Sequence, residues 1–330
     1  MVHAKHMKHD AEAGENAFSP ALPALPTRRP STTHTTNPAP KKKKKKLVQI
    51  IAAIVFVVGG LLLLSYPFVS DWLNQQAQNE ISAQQEQKVA TLSQDNLEEE
   101  KKAATAYNTR LLSGSAQVID PFDAHNTLPG NEDYNRVLNV AGDGVMGELF
   151  IPSISVDLPI YHYTTDETLA HGVGHVVNTS VPIGGPSTHA VLAGHTGLPS
   201  ARLFDRLEEL KTGDYFIIRV LGEDHAYKVT STEVVLPEEV MSLSVEDGKD
   251  QVTLVTCTPY GVNTHRLLVH GERCEVPDAW KNGSNAERHA LELPQSRSQI
   301  LLFTIAGIIL SSLLVLIVLL ILKIRKNKKD

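Results

Sequence analysis

The apolar positions of this chain form two kinds of pattern: long unbroken runs near its two ends and short runs crowded into its middle. Leu47–Leu64, LVQIIAAIVFVVGGLLLL, holds no charge. At about 1.5 Å per residue it spans roughly 27 Å, close to the ~30 Å of a bilayer's hydrocarbon core. Tyr66, Phe68 and Trp72 follow, where interfacial aromatic rings settle. Ile300–Leu322 is a second charge-free run, 23 residues long, which crosses a bilayer with room for tilt. Runs of this length without charge are rarely buried core helices. The first run exceeds the ~7–15 apolar residues of a secretory leader, and SYPFVSDW after it holds no small-x-small cleavage site. It reads as an uncleaved anchor.

Between the two runs the texture changes twice. Asp71–Leu112 lacks Gly and Pro and is dense in Gln, Glu, Ala and Lys, which favours helix. Its apolar stripe is thin, so it predicts one or two surface helices, with too poor a heptad pattern for a coiled coil. From Val145 short β-rich runs alternate with Gly, Pro, Asn and Asp. Strands are predicted at Met146–Ile151, Asp157–Tyr163, His189–Ala193, Tyr215–Val220, Ala226–Val235, Gln251–Cys257 and Arg266–Glu272. Strands this short and frequent indicate a mainly β fold, a closed or nearly closed barrel. Ala201–Leu210 (ARLFDRLEEL) is the one internal helix predicted, Trp280–Ser298 reads as a polar linker, and no internal repeat is visible. The chain thus divides into a disordered tail (1–46), a membrane helix (47–69), a helical and connecting region (70–145), a barrel (146–275), a linker (276–299), a second membrane helix (300–322) and a basic tail (323–330).

Charge orients this arrangement. Met1–Lys46 nets +7 and Lys323–Asp330 nets +4, while the whole chain is −6, which leaves −17 for the middle. Lys41–Lys46 precede the first run, and five Lys and Arg follow the second. The positive-inside rule places both termini in the cytoplasm and Ser65–Gln299 outside, a two-pass protein in contact with membrane lipid. Beside a span, the lysine run serves as a topology signal rather than a nucleic-acid patch. The acidic middle excludes nucleic acid as its partner, because phosphate binding needs clustered cations. Two cysteines exclude a disulfide-dense scaffold and a four-cysteine zinc site. His3, His6 and His9 are spaced along a floppy tail and are expected to do nothing. No metal and no cofactor are expected.

Chemistry concentrates at two strand ends. Gln251–Cys257 (QVTLVTC) ends in a thiol, a Thr-Pro-Tyr-Gly-Val-Asn-Thr loop follows, and the chain returns as His265-Arg266-Leu267-Leu268-Val269. Cys257 therefore stands at a strand mouth, with the Arg266 guanidinium at the start of the returning strand. A thiol of ordinary pKa ~8.5 is only a few per cent thiolate at neutral pH, so it needs a cation or an imidazole nearby. His195 lies in Val191-Leu192-Ala193-Gly194-His195-Thr196-Gly197, where an apolar strand ends in a tight turn that presents the ring from a rim loop. The bland alternatives are a buried small hydrophobe for Cys257 and a solvated strand residue for Arg266. A disulfide with Cys274 is excluded by reach: in a hairpin the two cysteines stand roughly 26 Å apart, against a ~7 Å limit. His162, His171, His175, His189, His225, His265 and His270 are expected to be surface or core histidines.

Thr253–Gly271, TLVTCTPYGVNTHRLLVHG, resembles the Cys–Arg signature of the sortases, and VLAGHTG resembles their histidine motif, in the family order His, Cys, Arg. The likeness runs from about Met146 to Arg273. Two membrane runs make the chain similar to the class C, pilus-assembling, sortases. Asp120-Pro121-Phe122 resembles the lid motif of that class, though by itself it is an ordinary Asp-Pro turn. The resemblance implies an eight-stranded barrel that cleaves an LPXTG-type sorting signal between Thr and Gly. It makes Cys257 the nucleophile, His195 the acid–base group and Arg266 the group that positions the substrate carbonyl or stabilises the oxyanion. Asp120, Pro121 and Phe122 become the lid. The implied partners are pilin subunits carrying such a signal and an acceptor Lys. Alternatives are a sortase that anchors proteins to cell-wall peptide and a membrane-held module without catalysis. An L,D-transpeptidase also uses Cys and His, but its Arg lies close after the Cys, whereas Arg266 is nine residues on.

Overall fold

The computed structural model describes residues 41–112, 118–123 and 130–282, together with Ile305, Gly307 and Ser312. The expected N-terminal tail up to residue 40, most of the linker, nearly all of the second apolar run and the basic C-terminal tail lie outside the described residues. Among the described residues one helix is long and apolar enough to cross a membrane.

That helix, α1 (Lys41–Thr91), is longer than the sequence suggests. The lysine run, expected in the tail, belongs to it, and no break falls at residue 69. The one strong helix breaker between the span and Thr91 is Pro67, which loses a hydrogen bond and crowds the carbonyl four residues back, yet the helix runs through it. The break comes at Ser93, whose hydroxyl accepts the Asn96 N–H at 3.2 Å and caps α2 (Gln94–Leu112).

Both helices pack on the barrel instead of lying free on its surface. The buried residues of α1 beyond the span are Gln78, Ser82, Gln85 and Val89, spaced by four, three and four. Gln78 donates to the His171 carbonyl at 2.9 Å and Gln85 to that of Val145 at 3.3 Å. On α2, Asn108 exchanges two hydrogen bonds with the backbone of Val181, at 3.1 and 2.8 Å. A stripe that docks through amides looks thin when only apolar residues are counted.

The barrel closes in the order β1-β2-β3-β4-β7-β8-β6-β5, with β5 returning to β1. Its strands are β1 (Val145–Ile151), β2 (Val156–His162), β3 (Val173–His175), β4 (Thr188–Ala193), β5 (Tyr215–Val220), β6 (Glu223–Val235), β7 (Asp250–Thr258) and β8 (His265–Cys274). Seven match the expected strands, and the eighth, β3, has three residues, too few for a pattern. Two pairings are parallel, β2 with β3 and β4 with β7, and the others are antiparallel. Leu149, Ile160, Leu192, Phe216, Leu254 and Val269 fill the interior. Much of the outer face is covered too, so β4 is buried on both sides and reads as a continuous apolar run.

Two short helices escape the periodicity, α3 (Glu132–Arg136) and α4 (Asp166–His171), capped by the side chains of Asn131 and Thr165. The helix expected at Ala201–Leu210 does not form, and only Leu207–Glu209 makes a 3₁₀ turn. Ala201, Leu203, Phe204, Leu207 and Leu210 are all buried, and the segment's backbone is held by other elements, so tertiary contacts override its propensity. The expected linker begins as α5 (Asp278–Asn282). Its Trp280 is buried against Phe150, ring centroids 4.9 Å apart, and donates to Asp224 at 2.8 Å.

Candidate active site

Strand register brings the sequence-predicted residues together. Cys257 on β7 stands directly opposite Arg266 on β8. On the other side of β7, β4 runs parallel, with Leu192 beside Leu254 and Ala193 beside Val255. Gly194 continues the ladder, donating to the Val255 carbonyl at 3.1 Å and accepting from the Thr256 hydroxyl at 2.7 Å. Carried two residues past Ala193, this register sets His195 level with Cys257. Thiol and guanidinium are thus neighbours across β7 and β8, and the imidazole stands in the loop that leaves β4, the strand on the other side of β7.

The period of two fixes the face. Val191, Ala193, Val255 and Leu268 belong to a small apolar cluster outside the barrel. Cys257 follows Val255 by two, Arg266 precedes Leu268 by two, and His195 follows Ala193 by two. All three thus share the face of that apolar floor.

The loop after His195 is tightly tied. The Phe204 N–H donates to the His195 carbonyl at 2.9 Å. Asp205 accepts from the Gly197 N–H at 2.7 Å. Gly194 is demanded by Phe204, because a Cβ there would stand 2.7 Å from the ring. Sequence patterns do not reveal Phe204 or Asp205 as parts of this site, since their partners lie in another loop.

Val118 and Phe122 lie on the same apolar floor, packed with Leu169, Val176 and Leu243. Asp120 meets Arg266 in a two-point pair, Nε to Oδ1 at 2.8 Å and Nη2 to Oδ2 at 2.6 Å. The remaining guanidinium nitrogen, Nη1, donates to the carbonyls of Asn263 and His265 at 3.1 and 3.0 Å. The pair is not a surface ion pair, since its side chains are only 8% and 12% exposed. Pro121 is buried. Phe122 sits between the two other groups: its ring centroid is 5.6 Å from that of His195 and 5.2 Å from the Arg266 Cζ.

The electrostatics favour neutral forms here. Burial pushes the Cys257 thiol above its ordinary pKa; Arg266 pulls it down and Asp120 pushes it up. Burial lowers the His195 imidazole, against an upward pull from Asp166 at the start of α4. The cavity beside the thiol, lined by Thr196, Phe204, Asp205, Tyr260 and Leu267 among others, is about 10 Å³, room for no more than one water.

The remaining residues behave as structure. Cys257 and Cys274 are both free. Cys274 lies at the far end of β8, packed among Phe150, Ala226 and Trp280. Buried His175 hydrogen-bonds Tyr134 and the Ser180 carbonyl, and burial lowers its pKa to about 3.

Comparison with known proteins identifies the family. The family model of the sortase domain matches residues 149–274. The solved sortase C-1 of Actinomyces oris is 48% identical, with a TM-score of 0.52, covering 55% of this chain and 99% of that one. A solved sortase C of Streptococcus pneumoniae is 35% identical, with a TM-score of 0.55, covering 60% of this chain and 97% of that one. The sortase A of Streptococcus agalactiae serotype III is 27% identical over 224 residues, 66% of this chain and 81% of that protein. The chain belongs to the sortase family and is a cysteine transpeptidase of that type. Its structural neighbours are class C members.

Proposed function

We propose that this protein polymerises pilin subunits: it cleaves an LPXTG-type sorting signal through a thioester at Cys257 and passes the acyl group to a Lys amine of the next subunit. The observation that supports this reading is Cys257 facing Arg266 across β7 and β8, with Asp120 paired to Arg266 and Phe122 packed against both Arg266 and His195. The described pneumococcal relative is one whose structure bears on pilin substrate specificity, which supports the choice of substrate.

The chemistry follows from the groups present. The Cys257 proton passes to His195, and Sγ attacks the Thr carbonyl carbon. Arg266 donates to the oxygen as charge develops on it. The C–N bond to Gly breaks, and His195 gives its proton to the leaving amine. A Lys amine then attacks the thioester and gives its proton to His195, the C–S bond breaks, and His195 passes that proton to the departing Sγ. The product is an isopeptide bond, and the enzyme returns unchanged. The raised thiol and lowered imidazole suit a resting state that does not attack water-borne electrophiles. Val191, Ala193, Val255 and Leu268 offer an apolar floor for the signal's Leu and Pro once the lid has left.

Purified pilin and full-length enzyme provide the test. A ladder of covalent multimers is expected with the wild type and none with Cys257→Ala, while Cys274→Ser still makes the ladder. His195→Ala should lose at least the ~10²–10⁴-fold of an acid–base group. Joining of single subunits to a cell-wall peptide without a ladder would favour anchoring instead.

The topology forms part of the proposal: both termini inside, the barrel outside, α1 and Ile300–Leu322 crossing the bilayer. A cysteine placed at Asn285 should react with an impermeant maleimide on intact cells. Labelling seen only after lysis would reverse the orientation.

A further inference from the structure

Three hydrogen bonds tie α1 to the elements that flank His195. The Asp71 carboxylate accepts the backbone N–H of Arg202 at 3.1 Å. The Asn74 amide donates to the carbonyl of Ser200 at 2.7 Å. One turn further on, buried Gln78 donates to the carbonyl of His171, the last residue of α4. These three positions, spaced by three and four, lie on one stripe of the helix. The opposite side of the same turns carries exposed Tyr66, Val69, Trp72 and Leu73.

The two elements held in this way both bear on the imidazole. Residues 196–204 run from His195 to Phe204, and Phe204 returns a hydrogen bond to the His195 carbonyl. The loop is thus pinned at His195 and Gly197 by Phe204 and Asp205, and in its outer half by Asp71 and Asn74. Ser200 and Arg202 lack regular secondary structure, so nothing in a sheet or helix ladder fixes them. At its other end α4 carries Asp166, the carboxylate that raises the His195 imidazole against its burial.

We infer that Asp71, Asn74 and Gln78 are positioning residues for His195, so that the helix leaving the first apolar run is a working part of the active site and not only a tether. It rests on the proposed acid–base role of His195. Loss of the Asp71 and Asn74 contacts leaves the substrate floor on β4, β7 and β8 in place and loosens the loop that presents the imidazole. The expected signature is therefore a fall in kcat with KM unchanged.

The chemistry of each contact predicts an asymmetry between conservative variants. Asp71→Asn keeps an oxygen for the Arg202 N–H. Asn74→Asp removes the donor that Ser200 requires and sets an oxygen against a carbonyl. The test uses the full chain in lipid nanodiscs and a fluorogenic peptide carrying an LPXTG-type signal, with kcat normalised to enzyme whose Cys257 titrates. Asp71→Ala with Asn74→Ala should lower kcat roughly 10- to 100-fold, the scale of an ångström-level misplacement. Asn74→Asp should fall with it, and Asp71→Asn should stay within about twofold of wild type. In the double variant the limb of the kcat–pH profile assigned to His195 should move as well.

A double variant with wild-type kcat and an unmoved profile would overturn the inference, and so would a loss confined to KM. His195→Ala in the same assay separates the two ideas. If it retained wild-type kcat, the acid–base assignment itself would be wrong. If it is dead while the α1 variants are fully active, only the positioning role fails.

Discussion

Arg266→Lys should lower kcat/KM for sorting-peptide cleavage by about 10²–10³-fold, the cost of losing one preorganised oxyanion donor. In the closed site the guanidinium uses both its edges. Nη1 is spent on the carbonyls of Asn263 and His265, which fixes the plane of the fork. Nε and Nη2 face Asp120 as two parallel donors. When Asp120 leaves, those two donors remain aimed at the mouth beside Cys257, held by the loop carbonyls. A lysine ammonium is a point charge with no plane, and it cannot hold two loop carbonyls and present a parallel pair at once. Its charge still pulls the thiol down as Arg266 does. The pH dependence of Cys257 alkylation should therefore stay near wild type in Arg266→Lys and shift to higher pH in Arg266→Ala. Cleavage within about fivefold of wild type in Arg266→Lys would show that charge, not fork geometry, is what the reaction requires.

Much of this site was legible because it is written in strand ends. QVTLVTC and HRLLV are apolar runs joined by a turn-rich loop, so a hairpin with Cys257 and Arg266 at its loop end follows from sequence. Where β4 lies is not legible, because its parallel pairing with β7 joins segments about sixty residues apart. The level of His195 with Cys257 depends on that pairing. β3 is too short to show a period, and its neighbour α4 is signalled only by a Thr cap. ARLFDRLEEL has the composition of a helix, but its apolar residues are drawn inward one by one around the His195 loop. The amide stripe of α1 reads as surface because Gln and Ser look solvated until their carbonyl partners are known. The Asp-Pro-Phe turn could be found by motif, but not the burial of its ion pair, which changes the energetics of release.

Removing the contacts that Asp120 and Phe122 make with Arg266 should expose Cys257. Breaking a buried ion pair by deleting one partner costs about 3–5 kcal/mol, against ~0–1 for a surface pair. The Phe122–Arg266 contact adds about 0.5–2 kcal/mol, and the burial of the ring adds more. Part of the first figure is the penalty of leaving Arg266 unpaired, and that penalty falls once the mouth opens to water. A net latch of about 2–4 kcal/mol corresponds to roughly 30- to 1000-fold in the open population. Asp120→Ala with Phe122→Ala should therefore speed modification of Cys257 by a bulky maleimide by at least about 30-fold, with a lowered melting temperature. The pH dependence has a definite sign. Asp120 raises the thiol pKa and burial raises it further, so losing the carboxylate and admitting water both lower it, while Arg266 keeps pulling it down. The alkylation profile should move to lower pH. Peptide cleavage should rise or hold level, because Arg266 and His195 are released and not removed. Unchanged alkylation rates at every pH would mean that the turn 120–123 lies over the site without controlling entry to it.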